Sequence, residues 1–435
     1  MRTKIINIIM TPGVTNEAHI PFVEDAEIHI EDQKIVYAGK KDNAPDFQAD
    51  HMIDGKGALA MPGLINLHTH TPMTLLRSVG SDLNLHDWLH NAIFPMERCL
   101  TGEDIRVGTD LGILEMLRFG TTSFCDMYMH MDAVAEGVKD SGMRALLGHG
   151  VVDFDESCAD LDPGIAFAKK WHKTADDRIR VSIAPHSEGA TTPAVIAKIK
   201  KAANDMGLVI HVHVSETKAD FDGSMERRGL TPPAYLESMG ILEEPVIAAH
   251  CVWFTDEDIE LFARRGVTIV HNPVSNLKLA SGVAPITKML KKGCRVALGT
   301  DGVASNNNLN LWEEMKLMPM LQKGTLLDPL VISPAQVLAS ATTVGAKAMG
   351  YENLGLLKEG YLADLILVDM HRPNFFPCND LENNLIYAAQ GSDVVLTMVN
   401  GKVLYNHGNY ATLDSDTIMK RAQEVAEGLA QKAKA

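Results

Sequence analysis

The sequence predicts an α/β protein: a distorted (β/α)8 barrel carrying a small discontinuous β-sandwich contributed by both chain ends. Three observations carry that expectation. Eight short apolar runs recur through the middle of the chain with helix-patterned segments between them, polar residues gather at the C-terminal ends of these runs, and both flanks read as hairpins.

The runs cover residues 61–68, 120–126, 144–152, 180–186, 208–214, 245–250, 267–271 and 294–301. Intervening segments such as 194–206 and 256–265 have helical apolar spacing, so the repeating unit is strand then helix with right-handed crossovers. His68, His70, Asp126, His149, His186, His213, His250, His271 and Asp301 lie at or near the C-terminal ends of the runs, the face on which barrels of this kind place their chemistry. The flanks differ. Residues 4–54 and 360–410 give short alternating runs between polar turns, and neither has enough strands to bury a face alone. The expected division is therefore 1–58 and 356–412 for the two parts of the β-sandwich, 59–355 for the barrel, and 413–435 for an amphipathic helical tail.

Composition narrows the function. With 435 residues, 46% hydrophobic and 22% charged, the chain has the make-up of an ordinary globular protein. No stretch approaches the roughly 18 apolar residues of a membrane helix, and the N-terminus lacks a signal-peptide pattern, so a cytoplasmic location and no membrane partner are expected. Six dispersed cysteines form no CxxC pair, which leaves any metal to His and carboxylate. A net charge of −16, without a phosphate-binding glycine loop, points away from nucleic acid and toward a small molecule. A homo-oligomer is compatible with the sequence, which contains nothing that dictates the state.

His68-Thr69-His70 closes the first run. Alternate side chains of a strand share a face, so both imidazoles can turn toward one ion. In Val209-Ile210-His211-Val212-His213-Val214-Ser215-Glu216, His213 lies nearer the strand end and is the expected third ligand; His211 reads as a hydrogen-bonded interior histidine, with a ligand role as the alternative. Asp301, after the last run, completes a set of three imidazoles and one carboxylate. That set suits one divalent metal ion, Zn2+ first and Fe2+ or another divalent ion next. Such an ion lowers the pKa of bound water to about 7, which makes hydrolysis the natural chemistry. Asp301 can accept the water's proton, His250 can hold the developing oxyanion, and Glu216 can donate a proton to a ring nitrogen of the substrate or, alternatively, orient a ligand histidine.

Taken together, Pro62-Gly63-Leu64-Ile65-Asn66-Leu67-His68-Thr69-His70, His213-Val214-Ser215-Glu216, Ala249-His250-Cys251, His271-Asn272-Pro273-Val274-Ser275-Asn276 and Gly299-Thr300-Asp301-Gly302 resemble the amidohydrolase superfamily. Within it, Thr71-Pro72-Met73-Thr74-Leu75-Leu76-Arg77, Asp87-Trp88-Leu89, Pro95-Met96-Glu97 and Ala184-Pro185-His186-Ser187 are similar to the 5′-methylthioadenosine/S-adenosylhomocysteine deaminases. The resemblance implies an adenine nucleoside as substrate, Glu97 on the ribose hydroxyls, His186 on the nucleoside, and Trp88 as a wall of the pocket or as local packing. His271 reads as structural or as a partner that orients a ligand residue. Similar deaminases carry an arginine where this chain has His149, so the 5′ substituent is open, with Arg118 or Arg144 as conceivable replacements. Guanine, a pterin, cytosine or an s-triazine is the alternative substrate; a catalytically silent metal-binding scaffold is the alternative class.

Overall fold

Two hydrogen-bonded sheets organise the chain. The computed structural model describes residues 1–15 and 18–433; residues 434–435 of the expected tail lie outside the described residues, as do 16–17. The strands are β1 (Arg2–Met10), β2 (Val23–Glu31), β3 (Lys34–Lys40), β4 (His51–Asp54), β5 (Leu59–Pro62), β6 (Leu64–Thr69), β7 (Thr121–Tyr128), β8 (Arg144–Val151) and β9 (Ile179–Pro185). They continue with β10 (Val209–Val214), β11 (Val246–His250), β12 (Thr268–His271), β13 (Arg295–Leu298), β14 (Leu365–Val368), β15 (Val394–Val399), β16 (Lys402–Asn406) and β17 (Asn409–Tyr410).

β6 to β13 pair in sequence order, all parallel, and form the barrel wall. Its seam is closed by side chains and one backbone bond. Asn66 donates through Nδ2 to Thr300 Oγ1 at 2.7 Å and accepts from Thr300 N at 2.9 Å, while Asp301 N donates to the His68 carbonyl at 2.9 Å. Gly299 permits this approach, since a Cβ there would stand 2.7 Å from Asn272 Oδ1 and 2.9 Å from the backbone N of His68. The last strand is thereby locked to the first, where the HxH motif sits.

The second sheet runs β17-β16-β15-β14-β5-β1-β2-β3, with β4 on β1. What reads in sequence as a sandwich is, in hydrogen bonds, one continuous nine-stranded sheet whose two halves share a buried cluster including Ile28, Ile30, Ile35, Leu396 and Met398. The run expected as one strand over 61–68 is two: β5 pairs with β1 and β14, and β6 begins the barrel. Gly63 marks the break, because a Cβ there would overlap Thr122 at 2.2 Å. Residues 59–62 thus belong to the nine-stranded sheet, on the barrel side of the expected 58/59 boundary. The helix Ser415–Lys432 buries Ala422 and Leu429 and pairs Arg421 with Glu103. Among the described residues no helix is long and apolar enough to cross a membrane.

Arg144 at the start of β8 joins the two sheets. It is 1% exposed and donates to both oxygens of Asp364, at 2.9 and 3.1 Å, and to Asn400 Oδ1 at 3.1 Å. Asp364 raises its already high pKa despite burial. Removing one member strands the other charge without water, so Arg144→Met should cost about 3–5 kcal/mol in urea unfolding, with much of the loss recovered in Arg144→Met/Asp364→Leu. A loss below about 1 kcal/mol would remove the pair from any structural account.

Candidate metal centre and active site

The ends of β6, β10 and β11 and the residues after β13 bring His68, His70, His213, His250 and Asp301 into one cluster. His70 Nδ1 faces the Met127 carbonyl at 2.6 Å, and His213 Nδ1 faces the His186 carbonyl at 2.6 Å. A carbonyl only accepts, so each Nδ1 carries the proton and each Nε2 keeps a lone pair. Those two Nε2 atoms face each other at 3.3 Å. His68 Nε2 and His70 Nε2 each stand 3.3 Å from Asp301 Oδ1, and buried His68 Nε2 has no hydrogen-bond partner among the described residues. Lone pairs aimed at one another in a dry site repel unless a cation lies between them. The groups His68, His70, Asp301 and His68, His213, His250 both have ligand atoms close enough for one ion. Burial lowers His68 to about 4 and His213 well below the usual imidazole range, which favours the neutral form a ligand needs. The donor set fits a divalent ion.

His211, on the same face of β10 one layer down, has Nε2 3.0 Å from His68 Nδ1 and Nδ1 3.4 Å from Cys125 Sγ. With His68 Nε2 turned to the centre, its Nδ1–H donates to His211. That contact sets the ring's tautomer and rotation.

Glu216, His250 and Asp301 surround the cluster. Glu216 lies between β10 and a capping box in which Thr217 and Asp220 exchange hydrogen bonds, so the start of the helix Lys218–Arg228 holds the loop. Its Oε2 is 3.6 Å from His250 Nε2, and Ser281 Oγ donates to its Oε1 at 3.4 Å. Burial pushes the Glu216 carboxyl up to about 7. Burial works against the charged form of His250, but Glu216 and Asp301 beside it leave its pKa raised. Burial likewise opposes the Asp301 carboxylate, yet His68 and the other imidazoles hold it well below the usual range. Ser215, His250 and Asp301 have φ of +48°, +71° and +63°, left-handed values that cost non-glycine residues energy and persist where the surroundings dictate them.

Beside the cluster is a cavity of about 640 Å³, the size of a small-molecule site. It is lined by Trp88, Glu97, His149, His186 and Glu216 as well as His70, His213, His250 and Asp301. Trp88 is buried, with Nε1 donating to the Val79 carbonyl at 3.2 Å, so it serves packing and wall together. His186 has its ring centroid 4.6 Å from that of His213, and burial lowers it to about 4. His149 is likewise lowered by burial. His271 is buried below the cavity with neither ring nitrogen hydrogen-bonded among the described residues.

The sequence reading missed several residues. Tyr128 donates to Glu97 Oε1 at 2.6 Å; Asn276 Oδ1 accepts from His250 Nδ1 at 2.9 Å; Ser275 and Ser305 donate to Asp301 Oδ2 at 2.6 and 3.0 Å. The Asn272-Pro273-Val274-Ser275-Asn276 string and the Ser305-Asn306-Asn307 stretch hinted at three of them, Ser275, Asn276 and Ser305. The arginines considered as replacements at the 5′ end lie elsewhere: Arg144 is spent on Asp364, and Arg118 donates to Tyr405 Oη at 3.0 Å. Arg98, next to Glu97, lines the cavity instead.

Residues 59–404 match the model of the amidohydrolase family. The chain belongs to that family. This amidohydrolase is 46% identical to a 5-methylthioadenosine/S-adenosylhomocysteine deaminase of Dictyoglomus thermophilum over 88% of its own length and 90% of the relative's. It is also 46% identical to a 5′-deoxyadenosine deaminase of Methanosarcina barkeri, over 94% of each chain. Among solved structures it is similar to a zinc-bound adenosine deaminase from Xanthomonas campestris, with a TM-score of 0.92, 32% identity, and coverage of 98% of this chain and 99% of that one.

The contact beneath His68 is open to test. His211→Leu removes the acceptor that holds the ring, so metal affinity in chelator competition should fall about 10- to 100-fold with the fold intact by circular dichroism. Unchanged affinity would show that His68 holds its orientation without His211.

Proposed function

We propose that the cavity binds an adenine nucleoside and that Glu216, His250 and Asp301 carry out hydrolytic removal of its exocyclic amine, giving the inosine analogue and ammonia. The chain is a hydrolytic deaminase of the amidohydrolase family. The observation that supports the assignment of roles is that Glu97 and Glu216 line the same cavity as the His70, His213 and Asp301 cluster, which gives one carboxylate to sugar hydroxyls and another to the ring.

His68, His70, His213 and Asp301 would hold one divalent ion, Zn2+ in first place and Fe2+ in second. When bound, such an ion brings the pKa of a water at the site to about 7. Asp301 takes a proton from the attacking water as its oxygen bonds to C6, and His250 faces the charge that develops on that oxygen. Glu216, with its carboxyl raised to about 7, donates a proton to N1 and allows the ring to accept the electron pair. The C6–N bond then breaks as C6=O forms: the proton taken up by Asp301 leaves with the amine as ammonia, and the proton of the C6 hydroxyl returns to Glu216. Trp88 offers apolar area to the nucleoside, and Tyr128 fixes Glu97 for the ribose.

The 5′ end of the cavity is poor in cations. Arg98 is the one Arg or Lys among the described residues lining the whole cavity, against Asp160, Glu188 and Asp220. His149, lowered by burial, is mostly neutral near pH 7 and lacks a guanidinium's fork. The amino-acid carboxylate of S-adenosylhomocysteine therefore gains little.

An absorbance assay of adenosine, 5′-deoxyadenosine, 5′-methylthioadenosine and S-adenosylhomocysteine side by side tests both substrate class and tail. The expected result is turnover with higher kcat/KM for the three lacking the amino-acid tail, and a shift toward the fourth in His149→Arg. Should S-adenosylhomocysteine be the best of the four, the account of His149 is wrong; no turnover of any would remove the nucleoside reading. Glu97→Ala should lower kcat/KM for ribosides about 10-fold or more and spare 2′,3′-dideoxy analogues. Equal losses would make Glu97 a structural group. Asp301→Asn and Glu216→Gln keep shape but cannot pass a proton, so each should cost about 100-fold or more in kcat. In Glu216→Gln, metal content by elemental analysis should stay at the wild-type level.

A further inference from the structure

Glu314 is fully buried in the helix Leu311–Leu326 and is not among the residues lining the cavity. Its two carboxylate oxygens reach in different directions. Oε2 accepts from Val274 N at 3.2 Å, at the start of the short helix after β12, and Oε1 accepts from Asn306 Nδ2 at 2.6 Å, in the short helix after β13. Each of those segments also delivers groups to the chemistry. From the first, Ser275 donates to Asp301 Oδ2 and Asn276 accepts from His250 Nδ1. From the second, Ser305 donates to Asp301 Oδ2, and Asn306 Nδ2 is also bonded to the Thr300 carbonyl at 2.8 Å, the residue before Asp301. Ser275 and Ser305 themselves meet at 2.9 Å.

The geometry points to Glu314 as a positioning residue for the deamination, a single side chain that clamps the 272–276 segment to the 301–306 segment and so fixes the carboxylate of Asp301 and the ring of His250. The inference rests on the roles proposed above for Asp301 and His250. A carboxyl group is a costly way to fill a buried position: burial, with the acidic Glu313 and Asp301 adding to it, pushes Glu314 up to about 8. An apolar residue would pack there at less cost. What the carboxyl group supplies is two oxygens held at a fixed angle, each taking an N–H from one segment. The need for that clamp is visible in Asp301, whose left-handed φ of +63° leaves its backbone dependent on its surroundings. Two hydroxyls on Oδ2 turn Oδ1 toward His68 and His70, so a shift of either segment rotates the group that takes the water's proton.

The test compares Glu314→Gln and Glu314→Leu with wild type in full-length, metal-loaded protein. Gln retains one acceptor and should lose about 10-fold in kcat; Leu retains none and should lose about 100-fold, the scale of a misplacement near 1 Å. In both, KM and metal per chain stay within about 2-fold of wild type and the unfolding midpoint does not fall in step with kcat. Hydrogen exchange, which needs no substrate, should quicken in 272–276 and 301–306 while the barrel strands remain protected. If Glu314→Leu does not accumulate as folded protein, Glu314→Gln, which keeps the shape and loses one acceptor, is read by the same criteria. Wild-type exchange in both segments of a folded variant overturns the clamp whatever the substrate. A kcat loss fully explained by lost metal or lost fold does so too. Wild type inert toward every nucleoside, with exchange quickened in the variants, leaves the clamp standing and sinks the substrate reading alone.

Discussion

Imidazole lone pairs that face one another across 3.3 Å are the constraint on which the rest of this molecule depends. Left alone they repel. Each is nevertheless held in place from behind: His70 by the Met127 carbonyl, His213 by the His186 carbonyl, and His68 by His211. The second contacts come from three different strands, β7, β9 and β10, or their immediate ends. A closed parallel sheet is what brings those backbone groups to one level. The barrel seam has the same purpose, since Asp301 reaches the HxH pair only because β13 is locked to β6 through Asn66, Thr300 and the His68 carbonyl.

The strain at the strand ends follows from this convergence. Ser215, His250 and Asp301 leave their strands with positive φ, which aims side chains into the cavity at an energetic cost that neighbouring elements must offset. Capping boxes at Thr217 and Thr255 start the next helix within a few residues of Glu216 and His250, and the Ser275, Ser305 and Glu314 contacts hold the loops around Asp301. Rigidity is thus concentrated where charge must be handled in a fixed geometry.

Acidity is separated by environment. Glu216 and Asp301 are carboxylates in one buried cluster, yet burial raises the first to about 7 while surrounding imidazoles hold the second well below the ordinary range. One is suited to carry a proton at neutral pH and the other to accept ionic contacts, a division of labour produced by surroundings and not by side-chain type. The nine-stranded sheet takes no part in this chemistry. Its link to the site is mechanical, through β5, which runs directly into β6, and through Arg144 and Asp364.

The sequence by itself determined the local half of this protein. The eight apolar runs, their polar C-terminal residues and the spacing of His68, His70, His213 and Asp301 are written in short patterns because strand periodicity and residue chemistry are local properties. The choice of His213 over His211 as the residue turned to the centre was also readable, from which of the two lies nearer the end of its strand. Tertiary structure alone decided the rest. That residues 59–62 join the other sheet is a matter of which edge is available to pair, and nothing in an apolar tetrapeptide records it. Tyr128 on Glu97, Ser275 on Asp301 and Arg144 on Asp364 join residues 26 to 220 positions apart, and Arg98 reaches the cavity only through the fold. Such contacts depend on how far each strand is tilted and how each loop returns. A hydroxyl or a guanidinium in a sequence carries no mark of the partner that closure will bring to it.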